Sequence, residues 1–217
     1  MKLYFIRHGR QDSMLCNVDV GLSKEGHKQA DLAGKRLKGL GIDALYTSDM
    51  ARAIETGEEI SKHIDIKGKV LRGLRETEFG DMEGLTDEEM KEKYKDFYIE
   101  RDKFLEDLSY PNGENGRECY DRMIKAVRQI IEECEKDKKE NIAIVSHGGA
   151  IRCFLTGILG MDFARRLQFV KTMENCSITE IHYDKKWDRF YIERVNDYSH
   201  LEGHKELLRK HFKKTFL

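Results

Sequence analysis

Short apolar runs alternate along the chain with longer stretches of helical periodicity. Each run, with the residues at its ends, predicts a buried β-strand. The three clearest predicted strands are residues 3–6, 43–47 and 141–145. Helical spacing and capping residues predict helices at residues 23–40, from 49 onward and at 117–136. This alternation predicts an α/β fold with a mostly parallel sheet.

The remaining patterns predict an edge hairpin and an insertion. Residues 177–183 and 190–195 alternate apolar and polar positions around a turn, which is typical of an antiparallel hairpin at a sheet edge. Residues 85–115 carry sparse apolar positions among many charges, and Thr86 with Glu89 has capping-box spacing that begins a helical region running to about residue 108. We interpret this stretch as a helical lid within a single domain spanning residues 1–217. Residues 202–212 predict a closing basic helix.

Cationic and titratable residues follow three of the predicted strands. Arg7 and His8 follow the first strand, and His147 and Gly148 follow the strand at 141–145. After the second strand, Ser48 and Asp49 are predicted helix caps, and Arg52 lies on the first turn of the helix they begin. The carboxyl ends of parallel strands border one crevice, so these side chains should meet. Two arginines and two histidines there predict an electropositive pocket for a phosphoryl group.

The composition indicates which classes of binding partner and which cellular location to expect for the protein. Net charge is −1 although 36% of residues are charged, so the surface has no dominant sign, and neither nucleic acid nor an anionic membrane is expected as a partner. Five cysteines without a Cys-x-x-Cys pair suggest reduced thiols. No apolar run approaches the roughly 20 residues of a membrane span, and no signal-peptide pattern is present, so a cytoplasmic location is expected.

An ordered set of short motifs resembles the histidine phosphatase superfamily, in the phosphoglycerate mutase-like branch. The resemblance runs from Leu3 to about Leu201 and is closest to the α-ribazole phosphatase and broad-specificity phosphatase members. It implies a three-layer sandwich with helices on both faces of the sheet. The motifs that carry it are Arg7-His8-Gly9, Leu22-Ser23, Ser48 with Arg52-Ala53, Leu74-Arg75-Glu76, Glu83-Gly84, Ser146-His147-Gly148-Gly149 and Asn196-Asp197.

Together with the predicted pocket, the resemblance implies a role for each strand-end residue. His8 is the predicted nucleophile, whose neutral imidazole attacks phosphorus to form a phosphohistidine. Arg7 and Arg52 hold the phosphoryl oxygens and lower the pKa of His8. His147 and Gly148, at the start of a helix, complete the phosphate site, with His147 donating to the equatorial oxygens. No metal and no cofactor are expected.

The proton donor rests on the resemblance alone. Glu76 occupies the position of the general acid in Leu-Arg-Glu, but Glu78, Asp81 and Glu83 lie close by in sequence. A solvated charged loop is the alternative explanation for this acidic stretch. Without the resemblance, the sequence does not choose among the four carboxylates.

Three positions depart from the family pattern. Arg10 and Gln11 stand where the family usually has Glu and Ser or Thr, and Met14 stands where a phosphate-binding Asn is common. Asn17, three residues later, is a candidate replacement for that Asn, and the sequence does not decide whether it serves.

The predicted function is a metal-independent phosphatase acting on a small organic phosphomonoester. A cofactor-dependent phosphoglycerate mutase is the rival enzyme, and a non-catalytic phospholigand-binding module is the rival of another class. Retention of His8 and Glu76 argues against the module. The charges of the predicted lid nearly cancel, which favours phosphoryl transfer to water over the enclosed chemistry of a mutase. A homodimer that pairs through the edge hairpin is an open alternative to a monomer.

Overall fold

A computed structural model describes residues 1–209, in which six strands form one mixed sheet. Their order across the sheet is β3-β2-β4-β1-β5-β6. Strands β1 to β4 are parallel, whereas β5 and β6 run antiparallel at one edge and confirm the predicted hairpin. The strands are β1 (Lys2–Arg7), β2 (Ala44–Thr47), β3 (Lys69–Val70), β4 (Asn141–Ser146), β5 (Ile178–Asp184) and β6 (Arg189–Asp197).

Helices cover both faces of this sheet. The α-helices of the described chain are α1 (Lys24–Lys38), α2 (Ala51–Ile64), α3 (Asp87–Lys93), α4 (Lys95–Arg101), α5 (Gly116–Lys136) and α6 (Gly148–Ile158). Short 3₁₀ helices occur at Arg72–Leu74, Gly80–Met82, Phe163–Gln168, Ser199–Leu201 and Lys205–Leu207.

Alternate residues of the central strands enter two separate cores. Leu3 and Phe5 of β1 pack in the core that includes α5 and α6, whereas Tyr4 and Ile6 face the core that includes α1 and α2. A strand points successive side chains to opposite faces, so a strand buried on both sides must be apolar throughout. The α/β three-layer architecture expected from the sequence is therefore confirmed.

Capping residues set the starts of the helices that flank the site. Ser23 caps α1 by accepting from the Gly26 amide at 3.2 Å. The Thr86–Glu89 capping box begins α3 as predicted, and Asn115 begins α5 in the same way. These side chains satisfy amides that have no partner within the helix.

Three local predictions differ from the structure. Helix α2 begins after Met50, whose side chain does not cap it. Ser48, one predicted cap, bonds to His147 and accepts from the Met50 amide, which precedes the helix. Asp49, the other predicted cap, accepts from Arg75. The charged helical region consists of two helices and ends at Arg101, short of the predicted end near residue 108. The predicted closing helix at 202–212 shows only the 3₁₀ turn Lys205–Leu207 within the described residues, and its remainder lies outside them.

Across residues 1–209, no helix combines the length and apolar character needed to cross a bilayer.

Candidate active site

Three strands end side by side and bring the predicted residues together. Arg7 of β1 lies opposite Ser146 of β4, and Thr47 of β2 lies opposite Val145 of β4. The residues that follow these ends therefore emerge at one edge of the sheet, as expected for parallel strands. The rings of His8 and His147 lie with centroids 5.0 Å apart.

The hydrogen bonds of His8 determine its tautomer. Arg52 Nε, which can only donate, lies 3.3 Å from His8 Nε2, so that nitrogen carries a lone pair. The ring proton is then on Nδ1 and is donated to the Gly9 carbonyl oxygen at 2.7 Å. Burial, followed by the charges of His147, Arg52 and Arg7, lowers the pKa of His8 well below its usual value. The ring is thus neutral, with Nε2 available as a nucleophile.

The backbone around His8 is held from three directions. The His8 amide donates to the Ser146 carbonyl at 2.9 Å. The Asn175 side chain donates to the His8 carbonyl at 2.9 Å, and the Gly9 amide donates to Thr56 Oγ1 at 3.0 Å. A buried backbone whose polar groups are all paired cannot shift without losing hydrogen bonds, so the imidazole is fixed in place.

His147 has one nitrogen bound and one without a partner. Its Nε2 lies 2.8 Å from Ser48 Oγ, which also accepts from the Met50 amide at 3.2 Å. Its Nδ1 is buried and meets no hydrogen-bond partner among residues 1–209. Burial, then the charges of Arg52 and Arg7, lowers the pKa of His147. If the Ser48 hydroxyl donates to Nε2, the proton lies on Nδ1, ready for an anionic acceptor.

Arg52 is almost fully buried, at 2% exposure, and is held from both ends of its guanidinium. Its Nη1 donates to the Val18 carbonyl and its Nη2 to Asn17 Oδ1, each at 2.8 Å. Asn17 has a positive φ of 48° and donates from Nδ2 to Glu83 Oε1 at 2.8 Å. Asn17 therefore lies beside Arg52, with both polar atoms of its side-chain amide hydrogen-bonded.

Arg7 approaches the first residue of α6. Its Nη1 donates to the Met173 carbonyl, while its Nε is buried without a hydrogen-bond partner in the described chain. A β-carbon on Gly148 would lie 3.3 Å from this Nε, so a larger residue there would require the Arg7 side chain to shift by a few tenths of an ångström. Burial, and next the charge of Arg209, lowers the pKa of Arg7.

Glu76 lies across the N-terminus of α6. Its carboxylate accepts from the Gly149 amide at 3.1 Å and from the Ala150 amide at 2.8 Å. Arg122 donates to the Glu76 carbonyl at 2.6 Å and fixes the backbone of this loop. These bonds carry the Glu76 carboxylate to the helix that begins just after His147.

The other carboxylates of the acidic stretch make different contacts. Glu83 accepts from Asn17 and from the Phe79 amide, and Asp81 accepts from Asn112. Of the four candidates, Glu76 is the one bound to α6 amides. The geometry thus separates residues that the sequence could not.

Several residues near the pocket were not predicted from the sequence. Asn175 supports the His8 backbone, and Arg152 places its Nη1 3.4 Å from the point where a Gly148 β-carbon would lie. Arg152 follows the His-Gly-Gly motif by one helical turn, a spacing that could have identified it. No local pattern marks Asn175. Among residues 1–209, no group of three or more His, Cys, Asp or Glu side chains is arranged to hold a metal ion.

Several known proteins are similar to nearly the whole of this chain. A protein named as an uncharacterized phosphatase, PhoE of Bacillus subtilis, is 30% identical over 206 residues, covering 91% of this chain and 95% of PhoE. A probable phosphoglycerate mutase, GpmB of Salmonella paratyphi B, is 28% identical over 94% of this chain and 96% of its own. The solved structure of YhfR from Bacillus stearothermophilus superimposes with a TM-score of 0.80 at 27% identity, covering 93% of this chain and 99% of YhfR.

Fold and relatives together define an enzyme of the phosphoric monoester hydrolase class. The family model described as the histidine phosphatase superfamily (branch 1) matches residues 3–198. The chain belongs to this superfamily.

Proposed function

We propose that the protein is a metal-independent phosphatase that hydrolyses a small organic phosphomonoester through a phosphohistidine at His8. The observation that carries this proposal is the neutral His8 ring, with Nδ1–H bound to the Gly9 carbonyl and Nε2 turned toward Arg52. A phosphoryl group that enters beside Arg52 would meet the Nε2 lone pair and a guanidinium together. That pairing supplies both the nucleophile and part of the charge stabilisation.

The first half-reaction forms the P–N bond. The Nε2 lone pair of His8 attacks phosphorus, while Arg7, Arg52 and the Nδ1–H of His147 stabilise the phosphoryl oxygens. The P–O bond to the leaving group breaks, and a protonated Glu76 gives its proton to the departing alkoxide. Arginines carry out the charge neutralisation that a metal ion performs in other phosphatases.

The second half-reaction restores the enzyme. Glu76, now a carboxylate, removes a proton from a water molecule, whose oxygen attacks phosphorus. The P–N bond breaks, and its electron pair returns to His8 Nε2 as inorganic phosphate leaves. Both halves use one carboxyl group, as acid and then as base.

The assignment of Glu76 can be tested against its neighbour Glu83. We expect Glu76→Gln to slow alkyl phosphate hydrolysis by on the order of 10²- to 10⁴-fold, the usual contribution of a general acid. Aryl phosphates should suffer much less, because phenolate leaves without full protonation. If Glu83→Gln shows this pattern and Glu76→Gln does not, Glu83 is the acid.

Residues 85–115 support the further proposal of a lid. Tyr94 and Phe97 pack on a buried cluster around Met82 and Tyr110. The Cys16 amide donates to the Leu85 carbonyl and the Gly84 amide donates to the Cys16 carbonyl, each at 2.8 Å, so this segment is bound to the loop that carries Asn17.

A small phosphomonoester as the substrate, a cytoplasmic location and a dimer that pairs through the edge hairpin remain predictions of the same proposal.

A phosphoglycerate mutase is the second candidate, favoured by the likeness to a protein named as one. The test is to supply 3-phosphoglycerate with 2,3-bisphosphoglycerate and to follow 2-phosphoglycerate and free phosphate together. We expect phosphate release to dominate. Isomerisation much faster than phosphate release from every monoester tested would reject the phosphatase in favour of the mutase.

A further inference from the structure

Arg52 is oriented by three neutral partners. Its Nε donates to His8 Nε2 at 3.3 Å, its Nη1 to the Val18 carbonyl at 2.8 Å and its Nη2 to Asn17 Oδ1 at 2.8 Å. Because none of these groups carries a negative charge, they fix the plane of the guanidinium without neutralising it. The charge of Arg52 therefore stays available to a bound anion.

The side-chain amide of Asn17 has no donor left for a ligand. Its Nδ2 donates to Glu83 Oε1 at 2.8 Å and to the Thr77 carbonyl at 3.4 Å, while its Oδ1 accepts from Arg52. An amide nitrogen carries two hydrogens, and both are engaged here. A phosphoryl oxygen accepts hydrogen bonds and would find no free N–H on this side chain. Asn17 is thus connected to the phosphoryl site through Arg52.

Glu83 and Arg52 together set the orientation of the Asn17 amide. A carboxylate oxygen only accepts and a guanidinium nitrogen only donates, so the amide between them must turn Nδ2 to Glu83 and Oδ1 to Arg52. The reversed amide would set donor against donor and acceptor against acceptor. The carboxylate is itself held in place, because the Phe79 amide donates to the same Oε1 at 3.1 Å.

The loop that carries Asn17 and the turn that carries Glu83 are bonded through their backbones. The Cys16 amide donates to the Leu85 carbonyl, and the Gly84 amide donates to the Cys16 carbonyl, each at 2.8 Å. Asn17 has a positive φ of 48°, which asparagine adopts more readily than most residues. Although Glu83 is exposed, these backbone bonds on both sides of the pair keep its carboxylate beside the Asn17 amide.

We propose that Glu83 and Asn17 are positioning residues, which together hold the Arg52 guanidinium against His8. Their effect on the rate rests on the proposed function, since it assumes that His8 attacks phosphorus beside Arg52. A carboxylate bound directly to Arg52 would weaken its attraction for a phosphoryl group, whereas the Asn17 amide keeps the two charges apart. The pair therefore supplies orientation and leaves the cation free for the substrate.

The resting protein allows a test that does not depend on turnover. In the full chain labelled with ¹⁵N-histidine, the Nε2 resonance of His8 reports the hydrogen bond from Arg52, and its disappearance in His8→Ala identifies it. We expect both Asn17→Gly and Glu83→Gln to move this resonance to higher chemical shift, as for an unprotonated ring nitrogen that loses a donor. Glycine is chosen because it adopts a positive φ without strain.

Asp81→Asn is the matched control. Asp81 lies on the 3₁₀ turn that ends just before Glu83, and its carboxylate accepts from Asn112 Nδ2 at 2.9 Å. The substitution therefore removes the same charge and weakens the same kind of carboxylate–amide bond, but in a pair that is not bonded to Arg52. The His8 resonance and the rate should both stay as in wild type.

Steady-state kinetics measure whether the two residues act as one unit. Asn17→Gly should lower kcat/KM for p-nitrophenyl phosphate by about 30-fold, in the range of one lost charge-assisted hydrogen bond. Glu83→Gln should lower it by about threefold, since the carboxylate is exposed and the new amide can still accept. In the Asn17→Gly background, Glu83→Gln should have no further effect. Glycerol 2-phosphate should show equal losses, because Arg52 holds the phosphoryl group that both substrates share.

Each outcome bears on the positioning role. An unchanged His8 resonance in either variant would overturn it, and the exposed, isosteric Glu83→Gln keeps this result accessible if Asn17→Gly folds poorly. A Glu83→Gln loss that persists without Asn17, or that affects glycerol 2-phosphate alone, would also overturn it. If p-nitrophenyl phosphate is hydrolysed and neither variant changes the resonance or the rate, only this inference fails. If the resonance moves as expected but no phosphomonoester is hydrolysed, the positioning role stands and the proposed function fails.

Discussion

Replacing Gly149 by alanine would place a methyl group against the Glu76 carboxylate. The new β-carbon would lie 2.6 Å from Glu76 Oε1 and 3.0 Å from Thr77 Oγ1. An unstrained contact needs roughly 3.5 Å, so the carboxylate must move by about 0.9 Å. Its hydrogen bonds from the Gly149 and Ala150 amides, at 3.1 and 2.8 Å, would then be lengthened or lost.

The effect on folding should be small because two terms oppose each other. Weakening the contacts between Glu76 and α6 costs about 1–2 kcal/mol. Alanine in place of glycine within a helix contributes about 0.5–1 kcal/mol in the other direction. We therefore expect a melting temperature within a few degrees of wild type. Gly39→Ala is the control, because a β-carbon there would meet only the Arg36 carbonyl oxygen, at 3.6 Å.

The effect on catalysis should be large. A displacement near 1 Å of a catalytic group costs on the order of 10²-fold, so Gly149→Ala should slow alkyl phosphate hydrolysis by about that factor. Aryl phosphate hydrolysis should change much less. The assay is steady-state kinetics on glycerol 2-phosphate and p-nitrophenyl phosphate in wild type, Gly149→Ala, Glu76→Gln and the double variant. In the Glu76→Gln background the added methyl should have little further effect.

Two results would refute this reasoning. One is a Gly149→Ala enzyme with wild-type activity on glycerol 2-phosphate, which would mean that the observed Glu76 position is not needed for proton transfer. The other is an equal loss on both substrates that persists in the Glu76→Gln background. In that case the methyl group would act on the phosphate site rather than on Glu76.

Three more predictions concern the histidines and metal ions. His8→Ala should lose all measurable turnover yet melt cooperatively by circular dichroism, whereas substitution of the exposed His27 should not reduce turnover; comparable activity in His8→Ala would remove the phosphohistidine. Activity should survive exhaustive EDTA treatment, and a loss that added metal restores would count against arginine-based neutralisation. The pKa values of His8 and His147 are both lowered in the folded state, so below about pH 6.5 the unfolded chain binds more protons than the folded protein does. The free energy of unfolding should therefore decrease as the pH is lowered, by up to about 1.4 kcal/mol per pH unit for each ring. Urea unfolding between pH 8 and 5 should show this decline in wild type and a shallower one when both are replaced by Asn; equal slopes would contradict it.

The arrangement of helices and strands was largely determined by local sequence patterns. The run at the start of the chain is apolar at every position because β1 is buried on both faces, and this pattern also predicted its place in a parallel sheet. The edge hairpin and the capping box of α3 followed from alternation and spacing. Such features depend on neighbours a few positions away, which a sequence displays directly.

The gathering of Arg7, His8, Arg52 and His147 was also predictable, because each follows a strand and parallel strands end at one edge. The predicted capping role of Ser48 failed because a distant residue binds it. Ser48 bonds to His147, 99 positions away. The amide that Ser48 accepts from is that of Met50, which precedes α2, so the hydroxyl does not cap the helix. Serine has a high propensity for helix caps, but here the tertiary contact with His147 determines where the Ser48 hydroxyl lies.

Only the tertiary structure decided the finer details of the site. Which nitrogen of His8 carries the proton depends on Arg52, 44 positions away, and the support of its backbone by Asn175 spans 167 positions. Among the four carboxylates, Glu76 is the one that binds amides of α6, which lie more than 70 residues later. Local periodicity carries no information about such pairs, because they form only when the sheet and its crossovers bring distant segments within hydrogen-bonding distance.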